Sequence, residues 1–193
     1  MPGATAVGIS YTDGVILAAE KRVSFGNFVV NKNTKKTFPV TEKVGAACAG
    51  MIADMQVLVR QVTALAKIRR LETRREVPPN SIAKLMSVIM FERRFFPLLT
   101  QVIVGGIDQK PQIYTLDPLG SVLPDEYAAV GTGAEMALGI MDAEYKPNMT
   151  EEKARDLAIR AIKSSVKRDS SSGDGIDILM LTGNQPREQS LPI

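Results

Sequence analysis

The chain has 193 residues, 45% of them hydrophobic, with a net charge of +3, one cysteine and no histidine, a size that suits one domain with a sizeable core. The missing histidine excludes Ser-His-Asp and Cys-His mechanisms, and with no cysteine cluster to replace it neither a metal nor a cofactor is expected. No apolar run reaches the ~20 residues of a membrane span, residues 1–9 lack a secretory signal, and one thiol makes no internal disulfide, so a reduced, cytoplasmic setting without membrane contact is expected.

Any hydrolysis must therefore take its base from a lysine, a carboxylate or the α-amino group. In chain order, ATAVGISY (4–11) and GVILAAEKR (14–22) read as strands around Thr12-Asp13-Gly14, whose Asp-Gly pair is a hairpin turn signal. KKTFPV (35–40) and VGAACAG (44–50) read as a second hairpin around 41–43, with Cys48 a buried thiol. Ile52, Met55, Leu58, Val59, Val62 and Leu65 then recur at helical spacing, predicting a helix over about 51–75 that Pro78 and Pro79 end. The basic run KIRRLETRREV (67–77) falls on its end. Glu72 and Glu76 interrupt that run and no stacking aromatics divide the arginines, so it reads as a solvated helix end and not as a nucleic-acid surface.

A second helix follows, capped by Asn80 or Ser81 and apolar along Ile82, Leu85, Met86, Ile89 and Met90. Strands return at 98–108 and 112–117, with a short one ahead of Val130. Helices are predicted over about 133–145 and from Thr150 onward, the latter burying Ala154, Leu157, Ala158, Ala161 and Ile162. GIDILMLT (175–182) is the closing strand. Two helix pairs set between blocks of meander strands predict an α+β fold, a four-layer α/β/β/α sandwich over 1–193.

Five stretches in this order carry a resemblance: TAVGISYTDGVILAAEKR (5–22), SFGNFVVNKNTKK (24–36), AACAGMIADMQ (46–56), VIVGGID with YTLDPLGS (within 102–121), and IKSSVKRDSSSGDGIDI (162–178). Together they resemble the β-type subunits of the archaeal 20S proteasome, over nearly the whole chain. The resemblance implies the same four layers, of the N-terminal nucleophile hydrolase type. It also implies a heptameric ring shared with other β-type subunits, α-type partners, unfolded polypeptide substrates, and an ATPase regulator acting through the α ring. In such subunits an N-terminal threonine, exposed by self-cleavage after glycine, attacks the peptide carbonyl while its α-amino group takes the proton. A lysine held by a carboxylate compensates the developing alkoxide, and backbone N–H groups form the oxyanion hole. Residue by residue, Glu20 falls at the carboxylate, Lys36 at the lysine and Gly50 at the oxyanion glycine. Asp169 and Ser172 fall at the acid and hydroxyl that support the N-terminus, and Thr132 stands where a serine is usual.

The nucleophile itself departs from this pattern. Counting back from Val7-Gly8 places it on Ala4, with Gly3 before the cleaved bond and residues 1–3 as a short propeptide remnant. Thr5 lies one place further in. Side chains alternate faces along a strand, so Thr5 is expected to point away from the face that Ala4 occupies. Two readings follow: a catalytically silent β subunit that keeps Met1 or Pro2 as its N-terminus, which is favoured, or a threonine endopeptidase that uses Thr5 after losing residues 1–4. Natural silence and an engineered threonine-to-alanine change both fit the first.

Overall fold

The Asp-Gly signal closes the first hairpin, β1 (Thr5–Tyr11) with β2 (Gly14–Glu20), Tyr11 opposite Gly14, in a computed structural model that describes residues 3–193. The expected N-terminus at Met1 or Pro2 lies outside the described residues. A small hairpin follows, β3 (Val23–Phe25) with β4 (Phe28–Asn31), then β5 (Thr37–Pro39) with β6 (Val44–Gly50). Next come α1 (Ile52–Thr73), α2 (Pro79–Glu92), β7 (Thr100–Ile107), β8 (Pro111–Leu116), β9 (Val122–Asp125) and β10 (Tyr127–Gly131). The chain continues through α3 (Ala134–Glu144), α4 (Glu151–Val166), β11 (Ile176–Leu181) and β12 (Arg187–Leu191).

Two five-stranded antiparallel sheets result, ordered β10-β1-β2-β11-β12 and β5-β6-β7-β8-β9. Period-2 alternation sends each strand's two faces into different apolar layers. Val7, Ile9, Ile16 and Ala18 pack with Leu157, Ala161 and Ile162 of α4 and Ala137 and Met141 of α3. Ala6, Val15, Leu17 and Ala19 turn the other way, onto Ala47, Ala49, Ile103 and Ile113 of the second sheet. That sheet's outer face, Ala46, Cys48, Val102 and Val104, is covered by Met55, Leu58 and Val62 of α1 and by Ile82, Met86 and Met90 of α2. The order helix, sheet, sheet, helix is the four-layer sandwich expected from the sequence. Six alanines, Ala4, Ala6, Ala19, Ala47, Ala49 and Ala128, contribute to the middle layer.

Several local expectations are corrected. The helix over 51–75 ends at Thr73, not at the prolines. Arg74 adopts φ 53° and its N–H bonds the Arg70 carbonyl, a left-handed stop several residues earlier. Pro78 is the residue that caps α2, in place of Asn80 or Ser81, because Pro79 fits the first helical turn, where no N–H is needed. Strand β5 starts at Thr37, one residue past Lys36. Four strands were not anticipated. The β3–β4 hairpin is mostly exposed, so no burial alternation marks it. β9 contains Pro124, which argues against a strand by sequence but is tolerated at a sheet edge. β12 is polar throughout most of its length and pairs only with β11, so the chain does not close at 175–182. Thr150 caps α4 as expected, its side chain accepting from the Lys153 N–H.

Candidate active site

β1, β2, β6, β10 and the loop after α4 converge at one end of the sandwich, and they bring all the predicted site residues with them. Glu20 is the last residue of β2 and is fully buried. Lys36, just ahead of β5, is 1% exposed and donates to Glu20 Oε1 and to the Arg22 carbonyl. The Thr5 N–H reaches Glu20 Oε1 at 3.4 Å, while Glu20 Oε2 accepts from Arg22 N–H at 2.7 Å and Gly173 N–H at 3.0 Å. One carboxylate thus ties β1, β2, the approach to β5 and the loop after α4. Burial pushes the Glu20 carboxyl up, against the pull of Lys36, and burial pushes the Lys36 ammonium down, against the pull of Glu20.

A second network is built of hydroxyls. Thr132 Oγ1 lies 2.6 Å from Asp169 Oδ2 and 3.3 Å from the Ala4 carbonyl. A threonine has one proton to give, and the shorter, charged contact takes it. The Thr132 oxygen then accepts from the Ala4 N–H at 3.2 Å. Ser172 Oγ also donates to Asp169 Oδ2, at 2.7 Å, which leaves it an acceptor for Thr5 Oγ1 at 2.8 Å. The direction of the whole chain follows: the Thr5 hydroxyl gives its proton to Ser172, and both Ser172 and Thr132 point theirs at Asp169.

Ala4 and Thr5 divide between the two faces of β1, as the alternation predicted. Ala4 joins Ala6 in the layer between the sheets, whereas Thr5 is on the side of Val7, with Oγ1 close to Gly133. Both are fully buried. Gly50 ends β6 with φ 127°, and a Cβ there would lie 2.2 Å from the Leu99 carbonyl, so only glycine fits. Gly50 makes no side-chain bond to the other site residues. It is placed beside them by its neighbour Ala49, whose methyl closes on Gly131 next to the Ala4 carbonyl.

Three contributors were not picked out from the sequence. Gly131, at φ 98°, approaches the Ala4 carbonyl so closely that a Cβ would sit 2.0 Å from it. Arg22 holds the loop after α4 with its side chain, donating to Asp174 Oδ2 at 2.7 Å and to the Ser170 carbonyl at 3.0 Å. Asp174 itself sits at φ 69° between Gly173 and Gly175. The non-glycine in the Gly-Asp-Gly run was the available signal, since it keeps a carboxylate where strain favours glycine. Among the described residues no group of three or more histidine, cysteine or acidic side chains could hold a metal. Among the described residues no helix is long and apolar enough to cross a membrane.

A family model described as proteasome subunit matches residues 1–181 of this chain. The chain is 65% identical over 188 residues to the proteasome subunit beta 1 of Nitrosopumilus maritimus (strain SCM1), covering 97% of this chain and 95% of that protein. It is 66% identical over 188 residues to the proteasome subunit beta 1 of Cenarchaeum symbiosum (strain A), covering 97% of each. The proteasome subunit beta 2 of Pyrobaculum neutrophilum is 46% identical over 192 residues, which cover 99% of this chain and 95% of that protein.

Proposed function

The chain belongs to the proteasome subunit family as a β subunit of archaeal type, and from this premise we propose that it builds the degradation chamber without cutting, because Ala4 occupies the position of the nucleophile. The observation that carries this reading is the division of hydroxyls along β1. The side chain at residue 4 is a methyl, while the one nearby threonine of β1, Thr5, lies on the other face and hands its proton to Ser172. Around the methyl, the rest of the machinery is retained. Lys36 and Glu20 form the buried pair that would lower the cost of an alkoxide. Thr132 and Asp169 hold the backbone of residue 4, and Gly50, at φ 127°, would supply the backbone turn for an oxyanion.

The whole of 1–193 is one β-type domain in this reading, with residues 1–3 a propeptide remnant that stays attached. Self-cleavage at Gly3–Ala4 needs an internal hydroxyl to drive the N-to-O shift, and a methyl cannot supply it. The chain shares a heptameric ring with other β subunits, stacks against α-type subunits in the cytoplasm, and encloses unfolded polypeptide delivered by an ATPase through the α ring. The alternative is a threonine endopeptidase using Thr5 after removal of residues 1–4. An amine at Thr5 would lie near Glu20, but the hydroxyl would first have to leave Ser172 and change faces.

The test is Ala4→Thr in assembled particles whose other β subunits are inactivated. Cleavage after Gly3 and a gain of peptidase activity are expected, far above background, since losing a nucleophile costs roughly 10⁶ in rate in a serine protease. Lys36→Ala in that background is expected to abolish the gain, and Thr5→Ala in the parent to change nothing. Intact-mass measurement of the parent is expected to show no loss of residues up to Ala4. A mature N-terminus reading Thr-Ala-Val-Gly, or activity of the parent that Thr5→Ala removes, overturns the silent reading.

A further inference from the structure

Thr5 touches both networks of the site. Its N–H reaches Glu20 Oε1 at 3.4 Å, and its hydroxyl meets Ser172 Oγ at 2.8 Å. It is fully buried, as Ser172 is. Gly133, ahead of α3, closes over it, since a Cβ there would lie 2.1 Å from Thr5 Oγ1. A hydroxyl in such a place is costly unless it is bonded, and a valine would fill the same volume without that cost. Packing beside Val7 therefore does not account for the oxygen.

The contacts of Ser172 do. Ser172 Oγ donates to Asp169 Oδ2 at 2.7 Å and turns its acceptor side to Thr5. Asp169 Oδ1 accepts the Ser171 N–H at 3.0 Å, and its Oδ2 also accepts Thr132 at 2.6 Å. Thr132 accepts the Ala4 N–H at 3.2 Å. The line leaves β1 at the Thr5 hydroxyl and returns to it at the nitrogen of residue 4, one residue earlier. Each hydroxyl in it has one proton, so the proton that Thr5 gives sets the direction of the rest. Without it, Ser172 Oγ keeps a buried acceptor with no donor. A methyl in place of the Thr5 hydroxyl would also sit well inside the roughly 3.5 Å of a relaxed non-bonded contact, and would push Ser172 off Asp169.

We propose that Thr5 is a positioning residue, whose hydroxyl fixes Ser172 and Asp169 and through them holds the backbone nitrogen of residue 4. This rests on the reading of residue 4 as the nucleophile position, and it gives the Thr5 hydroxyl a task other than attack. Thr5 is buried on the face of β1 away from the residue 4 side chain, so it does not touch substrate. Its loss changes how the site is held and not what the site binds.

The experiment has two arms. In the uncleaved parent, which on this reading has no peptidase activity to lose, the residue 4 nitrogen is an amide whose hydrogen exchange NMR follows. Thr5→Val is expected to quicken Ala4 N–H exchange about tenfold, the size of one lost hydrogen bond, and to leave the Val7 and Ile9 amides as they were. Thr5→Ser is expected to keep the slow exchange. Ser172→Ala is expected to match Thr5→Val, and the double variant to add little to either, because both break one line. In assembled particles carrying Ala4→Thr, with the other β subunits inactivated, Thr5→Val is expected to lower kcat about tenfold at unchanged KM, and Thr5→Ser to restore it. Should Thr5→Val fail to fold, Thr5→Ala, which removes the hydroxyl and overpacks nothing, carries both arms. Ala4 exchange in Thr5→Val that equals the parent's overturns the proposal. So does an equal loss in Thr5→Ser, which would assign the effect to packing, or a raised KM at unchanged kcat, which would assign Thr5 to substrate binding. An inactive Ala4→Thr chain overturns the reading of residue 4 and not this one, which the exchange arm then decides.

Discussion

At the scale of single residues, the site is decided by where protons and charges are allowed to rest. Glu20 and Lys36 are both withdrawn from water, and each is tolerable only because the other is there. Glu20→Ala is expected to cost about 3–5 kcal/mol, since it strands the Lys36 ammonium and frees the Arg22 and Gly173 N–H groups. Glu20→Gln combined with Lys36→Met should recover part of that loss; urea unfolding of the isolated chain measures both. Cys48, fully buried, has its thiol pushed up by desolvation. It should react with a thiol reagent only as the chain unfolds.

Elements meet at this site through backbone contacts that admit little variation. β10 reaches β1 at Gly131, whose φ of 98° and clash-free approach to the Ala4 carbonyl both depend on the missing Cβ. Gly131→Ala is expected to destabilise by at least the ~1–3 kcal/mol of a non-glycine residue in that region. In a domain of this size each kcal/mol lowers the melting temperature by about 2–4 °C, which calorimetry reads directly. The loop after α4 is fastened to the end of β2 by Arg22 and Asp174. The Arg22 guanidinium holds the Asp174 carboxyl below the usual carboxylate range. A depressed folded-state value means stability that is present above the unfolded value of about 3.9 and lost as pH falls through the folded value. The stability difference between the parent and Asp174→Asn should therefore be constant near neutrality and shrink below about pH 4. A difference that stays flat to pH 2 would show that the pair contributes nothing through charge.

The whole molecule is half of an assembly argument. On the proposed reading of a silent subunit, the contribution of the chain lies in the particle it completes. Co-expressed with an α-type subunit, the chain is expected to elute at several hundred kilodaltons, the scale of stacked heptameric rings of ~20-kDa subunits. Analytical ultracentrifugation checks this, and a strict monomer in the presence of α and β partners would refute it. The exposed phenylalanines of the β3–β4 hairpin, Phe25 and Phe28, and the exposed Ile68 and Leu71 of α1 fit a chain that is not finished as a monomer.

Much of this was legible in the sequence because it is carried by short-range signals. Asp13-Gly14 set the first hairpin and helical spacing from Ile52 set α1, while the resemblance named Glu20, Lys36, Gly50, Asp169 and Ser172 as a candidate site, of which Glu20 touches Lys36 and Asp169 touches Ser172. Strand alternation alone separated Ala4 from Thr5. What the tertiary structure decided is everything that depends on partners distant in sequence. The direction of the hydroxyl chain from Thr5 to Asp169 needs residues 167 positions apart to touch. β9 and β12 are strands because a neighbouring strand accepts them at an edge, since neither has an apolar face of its own that would announce it. α1 read as an ordinary core helix because periodicity reports apolar positions but not which of them the fold covers. Only the packed sheet beneath Met55, Leu58 and Val62 shows that Ile68 and Leu71 belong to a second face, left open.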